Sequence, residues 1–367
     1  MKILNILQGT SLGGMEQSSL TLMKNMQKLG CEFEVLSLTP FGKLKAKLKN
    51  ADINSNDTSY SGIGGWMSFF DIRSKIQSSN ADAIMMTGHS LVGMLALGKK
   101  CLGKRLLAVH FHHEGVKPKI IWKIIYFIAC KKFDHITFAS NFIRKEAIEI
   151  FPGVIKKSEV INNPITKKEV QKIEKKVAAR KKLGISEDAI VFGNAGWLIK
   201  RKRFDIFIKL AKEIKKSQKN AIFLIAGDGV EKENLLHLSK ELKVSESIIW
   251  LGWQDDLEDF YNALDFMIFN SDWDAVGLSP LESIIKGIFT VVSVKNGGIN
   301  EILKDDYSYF FHHTHDIEIL SKKINYLISN KEESYKLLDS LRSYVIEISD
   351  PIKIAKKTMD KYQNEKR

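Results

Sequence analysis

Asn270 to Glu301 reads NSDWDAVGLSPLESIIKGIFTVVSVKNGGINE, and the fold follows from how these residues alternate. The apolar run Phe266 to Phe269 just before it, and the run Thr290 to Val294 inside it, have the length and the β-branched and aromatic character of strands buried on both faces. Between the runs, Asp274 precedes a small-residue loop, Gly277 opens a helix and Glu282 sits on that helix. Gly297, Gly298 and Glu301 follow the second run. Strand, acid-bearing loop, helix and second strand make a βα unit of a parallel sheet, a construction that binds its ligands beyond the carboxyl ends of the strands.

The same alternation extends in both directions. Upstream and downstream, Ile190 to Asn194, Ala221 to Ala226, Ile248 to Leu251 and Ser308 to Phe311 read as the other strands of one sheet. The first half carries its own set at Lys2 to Leu7, Glu32 to Leu38, Ala83 to Met86, Leu106 to Phe111, His135 to Phe138 and Glu159 to Ile161. The restart predicts two Rossmann-like α/β domains. Thr166 to Lys182, TKKEVQKIEKKVAARKK, follows Pro164 and is too charged to serve either core, so it reads as a linker. The expected division is an N-terminal domain 1–165, the linker 166–182 and a C-terminal domain 183–350. A last amphipathic helix, 351–367, is set off by Asp350-Pro351 and expected to return to the first domain.

The 367 residues are 44% hydrophobic and 27% charged with only six prolines, which excludes a disordered or fibrous chain. Lys plus Arg exceeds Asp plus Glu by 56 − 43 = 13, so anionic partners are expected. No helix-turn-helix or RNA-binding aromatic signature stands out, and nucleic acid is not expected among them. Cys31, Cys101 and Cys130 are scattered and form no metal spacing, which points to a reducing cytosol and to no metal site. Met1 to Leu7 passes straight into Gln8-Gly9-Thr10 without a cleavage site, and reads as a strand rather than a signal peptide. Ile120 to Cys130, the most apolar stretch, is about half the roughly 20 residues of a membrane span and carries Lys123.

Several strand ends carry chemistry. Gln8 to Glu16, QGTSLGGME, is a glycine-rich turn opening a helix, where free amides suit an anion; it is not the GxGxxG of dinucleotide sites. Val109-His110-Phe111-His112-His113-Glu114 brings histidines to a sheet edge, with period two placing His110 and His112 on one face. A substrate-contacting histidine is the expectation, since no third ligand at a known spacing supports a metal. Gly196 to Arg203, GWLIKRKR, puts four consecutive cations in a strand-to-helix loop, a candidate diphosphate clamp. Ala226-Gly227-Asp228-Gly229 closes another strand with a sharp turn.

Taken together these stretches resemble the family 4 glycosyltransferases. Glu282 lies eight positions after Asp274 with Gly277-Leu278 between them and Gly297-Gly298 near Glu301 downstream, as in the donor-binding signature of that family. Gly13, Gly14 and Glu16, Asn163-Pro164-Ile165, Ala226 to Gly229, Leu251-Gly252-Trp253 and the closing helix extend the likeness over most of the chain. The resemblance implies a GT-B fold, two Rossmann-like domains facing each other across a cleft, and retaining transfer from a nucleotide-sugar, UDP-linked, to a glycan or glycolipid acceptor of lipopolysaccharide core, O-antigen or capsule type. No cofactor and no metal are implied.

Carried over by residue, the resemblance has Glu282 accepting from the ribose hydroxyls and Asp274 contacting the donor sugar. The amides of Val276, Gly277 and Leu278 would receive donor oxygens, Arg201 and Lys202 would neutralise the departing diphosphate, and Trp253 would border the base near Gly227. Gly13 and Gly14, counted with the donor-binding residues, would approach the phosphates or the acceptor from the other domain, with His112 as the active-site histidine, His110 as its alternate and Glu16 on the acceptor side. Three departures stand out: the first acid is Asp274 rather than glutamate, Trp197 stands where an arginine is frequent, and Arg203 where glycine is usual.

Other readings use the same residues. Asp272-Trp273-Asp274 also fits the DxD motif of metal-dependent glycosyltransferases, an epimerase would share the fold, and a non-catalytic anion binder would share the charge. Lys43 to Lys49, KLKAKLK, and Lys117, Lys119, Lys123, Lys131 and Lys132 around Trp122, Tyr126 and Phe127 suit an anionic membrane surface. A cytoplasmic protein peripheral to the inner face of the membrane is the resulting expectation.

Overall fold

The structure is a computed structural model that describes residues 1–10, 13–59, 61, 63–98, 103–111, 113, 116–303, 311–312 and 315–363. Its contacts divide the chain into two compact units, Met1–Thr166 with Ser349–Arg367, and Lys167–Ile348.

In the first unit β1 (Lys2–Leu7) leads through α1 (Gly14–Lys28) to β2 (Glu32–Ser37) and through α2 (Leu44–Lys49) to β3 (Asn54–Asp57). The chain then crosses back through a 3-10 turn at Ile63–Ser68 and α3 (Phe69–Ser78) to β4 (Ala83–Thr87). It continues through α4 (Leu91–Ala96), β5 (Arg105–Val109), α5 (Lys119–Lys132), β6 (His135–Phe138), α6 (Asn141–Ile150), a 3-10 turn at Pro152–Lys157 and β7 (Ser158–Val160). All pairings are parallel, in the order β3-β2-β1-β4-β5-β6-β7. Right-handed crossovers then put α1 and α2 on one face of the sheet and α3, α4, α5 and α6 on the other.

The second unit begins with α7 (Ile173–Lys182). It then alternates β8 (Ile190–Ala195), α8 (Phe204–Ser217), β9 (Ala221–Ala226), α9 (Lys232–Glu241), β10 (Ile248–Gly252), α10 (Glu258–Ala263), β11 (Phe266–Asp274), α11 (Leu278–Ile285), β12 (Phe289–Gly297), α12 (Ile299–Ile302) and β13 (Phe311–His312). Helices α13 (Ile317–Ser329) and α14 (Lys331–Ile348) close it. The strand order, β10-β9-β8-β11-β12-β13, is that of a doubly wound sheet with its reversal between β8 and β11.

The apolar runs became strands because both faces of each sheet are covered by helices, so Ile3, Ile6, Phe192, Phe223 and Ile268 are all buried. Helix α15 (Pro351–Gln363) returns to the first unit as expected. Ile354, Ala355 and Tyr362 join the cluster of Leu20, Met23 and Met26, and the Tyr362 hydroxyl donates to the Ile84 carbonyl at 3.3 Å.

One expectation is corrected, and two elements escaped the sequence reading. The stretch read as a linker is built into the second unit. The Gln171 side-chain amide donates to the carbonyls of Tyr261, Asn262 and Leu264, Ala179 is in the core, and the buried Arg180 pairs with Asp265 at 2.7 Å. Its charges misled because an arginine whose donors all find carbonyls or a carboxylate can be buried. KLKAKLK, read only as a basic surface, forms α2 with Leu44 and Leu48 buried one turn apart. β3, Asn-Ser-Asn-Asp, was not expected at all, because an edge strand with alternately exposed polar residues offers no apolar run.

Candidate functional site

The sheet reversal of the second unit gathers the residues singled out by sequence. The loop after β8 supplies Arg201 and Lys202 in a 3-10 turn, and the extended end of β11 supplies Asp274. One Asp274 oxygen, Oδ2, receives the Lys202 ammonium and lies 3.3 Å from Arg201 Nη1; the other, Oδ1, accepts from the Gly277 amide at 3.1 Å. Burial pushes the Asp274 carboxyl up, but Lys202 and Arg201 outweigh it and hold it below its ordinary value. Lys202 is itself pushed down by burial, only partly offset by Asp274, and stands over the Phe269 ring at 4.7 Å. Arg201 also donates to the Trp273 carbonyl at 2.9 Å and lies over the Trp273 ring at 4.0 Å. Asp274 is therefore a hub that fixes both cations and the start of α11. The Gly277 amide, expected to face donor oxygens, is turned to it, and the Val276 amide also bonds to it.

Gly277 has φ 78°, a left-handed conformation that glycine adopts without strain where the strand turns into α11. Leu278 is the first residue of that helix and Glu282 lies on it. Glu282 Oε2 accepts from the Tyr261 hydroxyl at 2.9 Å and lies 3.9 Å from Lys168 Nζ. Burial raises the Glu282 carboxyl, opposed by Lys168 and by the Tyr261 hydrogen bond. Neither Tyr261 nor Lys168 was singled out by sequence: Tyr261 sits in the plain run EDFYNALD, and Lys168 in the supposed linker.

The departures from the family pattern acquire reasons. Arg203 has φ 48° and ψ 41°, the left-handed region that explains the usual glycine. Its guanidinium pairs with Asp205 at 2.9 and 3.1 Å and with Asp272 at 3.0 Å, which offsets the backbone cost. Both acids of the DxD-like triplet thus face cations of this loop. Trp197 packs against Trp253 in a tilted pair, ring centroids 4.3 Å apart, and the Trp253 indole donates to Asp255 at 3.0 Å. Gly227 passes so close to Gly196 that an added Cβ would sit 1.9 Å from the Gly196 carbonyl oxygen, so its glycine is required by backbone crossing. A cavity of about 410 Å³ lies at the opposite edge of this sheet, between β8, β11 and β12, where the Lys176–Asp265–Arg180 ion pairs close its polar side.

In the first unit the reversal falls between β1 and β4. The Gly13 amide donates to Glu16 Oε2 at 2.8 Å, so the buried Glu16 caps the start of α1 and its carboxyl is raised by burial. Gly14 begins that helix. β5 ends at Val109, two residues earlier than expected, and His110 leaves the strand to bond Asn163 Oδ1 through Nδ1 at 2.7 Å. With the amide oxygen as acceptor, Nδ1 carries the proton and Nε2 is left as the acceptor. His112 lies outside the described residues. His113 is buried, bonded to Glu146 at 3.0 Å and to the Tyr126 hydroxyl.

His89, beyond β4, was missed by sequence. Its amide donates to Gln8 Oε1 at 2.7 Å and its ring meets Phe111 at 4.4 Å. The expected exposure of Trp122 is corrected: it is 1% exposed and donates to the His113 carbonyl at 3.0 Å, and Tyr126 is buried beside it. Both belong to the inner face of α5, while Lys119 and Lys123 lie outside.

Burial pushes both His110 and His89 down to about 4 from 6.5. A depressed folded-state value means that protonation favours the unfolded chain. The stability these histidines contribute is thus complete above about pH 6.5 and is lost as the pH falls towards 4, at most about 3 kcal/mol for each. Thermal melting across this window should show the first unit losing stability, with a flatter profile in His110→Gln. Equal profiles for the two proteins would refute it.

Two parallel α/β units with the doubly wound order, and a cation–carboxylate–glycine cluster at the reversal of the second, define the class as GT-B. A family model described as Glycosyltransferase Family 4 matches residues 12–169, and one described as Glycosyl transferases group 1 matches residues 175–344. The chain belongs to these GT-B glycosyltransferases.

Among curated relatives, the O-antigen biosynthesis glycosyltransferase WclY of Escherichia coli matches in two stretches. One is 36% identical over 120 residues, 32% of this chain and 33% of the relative; the other is 30% identical over 187 residues, 50% of each. The UDP-Gal:alpha-D-GlcNAc-diphosphoundecaprenol alpha-1,3-galactosyltransferase of Escherichia coli is 26% identical over 246 residues, 64% of this chain and 63% of the relative. These matches thus span from a third to under two thirds of the relatives' lengths. The crystal structure of Anabaena Alr3699/HepE in complex with UDP and glucose has a TM-score of 0.87 at 17% identity, covering all of both chains, and shares the fold.

Proposed function

We propose that the chain is a retaining hexosyltransferase that moves a sugar from a UDP-sugar to a lipid-linked or lipopolysaccharide-type glycan at the inner, cytoplasmic face of a membrane, without a metal ion. The observation that carries the reading is the cluster at the β8/β11 reversal: two cations fixed by one carboxylate, beside a half-buried Glu282 oriented by Tyr261. Relatives named for O-antigen and diphosphoundecaprenol-linked synthesis support the acceptor class, and the HepE complexes with UDP and UDP-glucose support the donor.

In this reading Glu282 accepts from the ribose hydroxyls while Trp197 and Trp253 border the base. Arg201 and Lys202, held in place by Asp274, meet the diphosphate, whose charge grows by one as it leaves. The bond from the anomeric carbon to the diphosphate breaks as the acceptor hydroxyl adds to the same face. The hydroxyl proton passes to the departing diphosphate oxygen, so no protein nucleophile is required. His110 or His112 and the Gly13–Gly14 turn supply the acceptor side. Cations of the chain itself answer both Asp272 and Asp274, which favours metal-free chemistry over a DxD site.

Calorimetry of nucleoside diphosphates and their sugars in EDTA tests it. One uridine nucleotide should bind, with the same affinity when manganese is added, and the product anomer should match the donor by NMR. Binding that requires manganese, or no nucleotide binding, would sink the reading.

A further inference from the structure

The first unit distributes its exposed apolar side chains on one side. Among the described residues, every large one except Met1 lies in the connections that cross towards β4 through β7: Trp66, Met67 and Phe70 around α3, Val116, Ile120, Ile124 and Phe127 along α5, and Ile155 beside it. Those connections form the helical layer on the face of the sheet opposite α1 and α2, and α3, α4, α5 and α6 touch in succession.

On α5 the outward positions are Lys119, Ile120, Lys123, Ile124, Phe127 and Lys131, one stripe at three- and four-residue spacing. Large apolar side chains in a water-facing stripe are left in need of a partner. Residues 116–133 hold five lysines and no carboxylate, so that partner is anionic. Lys131 stands 4.2 Å over the Phe127 ring, a cation resting its stem on the apolar stripe with its charge outward.

We propose that this layer docks on an anionic lipid bilayer, with Ile120, Ile124 and Phe127 entering the interface, the α5 lysines meeting phosphate headgroups, and Trp66 with Phe70 as a second contact. The pairing of lysine with aliphatic and aromatic residues, with no hydrogen-bonding side chain other than lysine among the outward positions of α5, fits a fluid charged surface better than a shaped protein. The α2 lysines, which the sequence offers equally, lie on the other face of the sheet and take no part. The proposal rests on the reading of a membrane-borne acceptor for its purpose, and on the exposed stripe for its evidence.

Flotation of the full chain with phosphatidylcholine vesicles, with and without phosphatidylglycerol, tests it. Binding should require the anionic lipid and weaken with salt. Lys119→Gln with Lys123→Gln should reduce partitioning about 30-fold, at about a fivefold loss for each lysine. Ile124→Ser with Phe127→Ser should reduce it as well, while Lys45→Gln with Lys49→Gln should leave it unchanged. UDP calorimetry on every variant reports the donor site separately: if the wild type floats but binds no nucleotide, the transferase reading fails and the docking face stands. No flotation of the wild type at low salt, equal flotation of the α5 variants, or self-association abolished by the α5 variants without vesicle binding would overturn the docking face.

Discussion

Lys202→Met is expected to lower kcat by about 10²- to 10³-fold, with a much smaller change in the affinity for the intact nucleotide-sugar. The asymmetry comes from charge. In the bound donor the diphosphate is shared between two esters, and on departure it gains a negative charge that Lys202 and Arg201 are placed to receive. A cation already pinned by Asp274 needs no reorganisation at that moment, which is why its removal is felt in the chemical step. Methionine keeps the packing against Phe269 and removes the charge, but among the described residues leaves the buried Asp274 with Arg201 as its remaining close cation. The Asp274 carboxyl should then move up, and the variant should lose less stability on acidification. A depressed carboxyl stabilises above its unfolded value and loses that contribution as the pH falls, so a smaller depression leaves less to lose but a weaker fold at neutral pH. Pre-steady-state kinetics beside thermal melting separates the two effects. A fall in kcat of less than about threefold, in a variant that melts normally, would remove Lys202 from the leaving-group role.

The fold was legible wherever a strand is buried on both faces. β1, β6 and β9 have the ends expected of them, because an apolar run stops where helix coverage stops. It was illegible where tertiary context reversed a local signal. The charged run before β8 became a helix whose Arg180 is buried by carbonyl partners, and no pattern in TKKEVQKIEKKVAARKK announces those partners.

The site divides in the same way. Asp274, Gly277 and Glu282 could be found because their spacing is set by one loop and one helix turn. Tyr261 and Lys168 could not, since each reaches Glu282 from a separate element. His89 was within reach of the reasoning applied to His110, a polar residue just past the end of a predicted strand. Its neighbour Gln8, at the same edge across the β1/β4 reversal, becomes visible only once the strand order is known. Trp122 shows the converse failure. Its cluster of lysines and aromatics suggested a surface, while helical periodicity alone would have put Trp122 and Tyr126 on the side opposite Lys123 and Phe127.

Glu282→Gln is expected to weaken uridine diphosphate binding by about 10²-fold, close to the loss of two charge-assisted hydrogen bonds. The amide is nearly isosteric and could accept the Tyr261 hydroxyl, so the local packing should survive. What changes is the acceptor: a carboxylate takes two ribose hydroxyls with full charge, whereas an amide offers one neutral oxygen and a misplaced donor. Ribose-deoxy nucleotides make the assignment specific. They should bind wild type as weakly as the complete nucleotide binds Glu282→Gln, and removing both partners together should cost little more than removing either, the signature of direct coupling. Acid should imitate the mutation, because burial raises the Glu282 carboxyl and its protonation replaces an acceptor by a donor. Affinity for the nucleotide should fall as the pH drops through that raised value, earlier than an exposed glutamate would allow, and Tyr261→Phe should move the fall to still higher pH by removing a hydrogen bond that favours the charged form. Calorimetric titration across this range decides the matter: additive losses in the variant and the deoxy ligand would mean that Glu282 acts on the helix α11 rather than on the ribose.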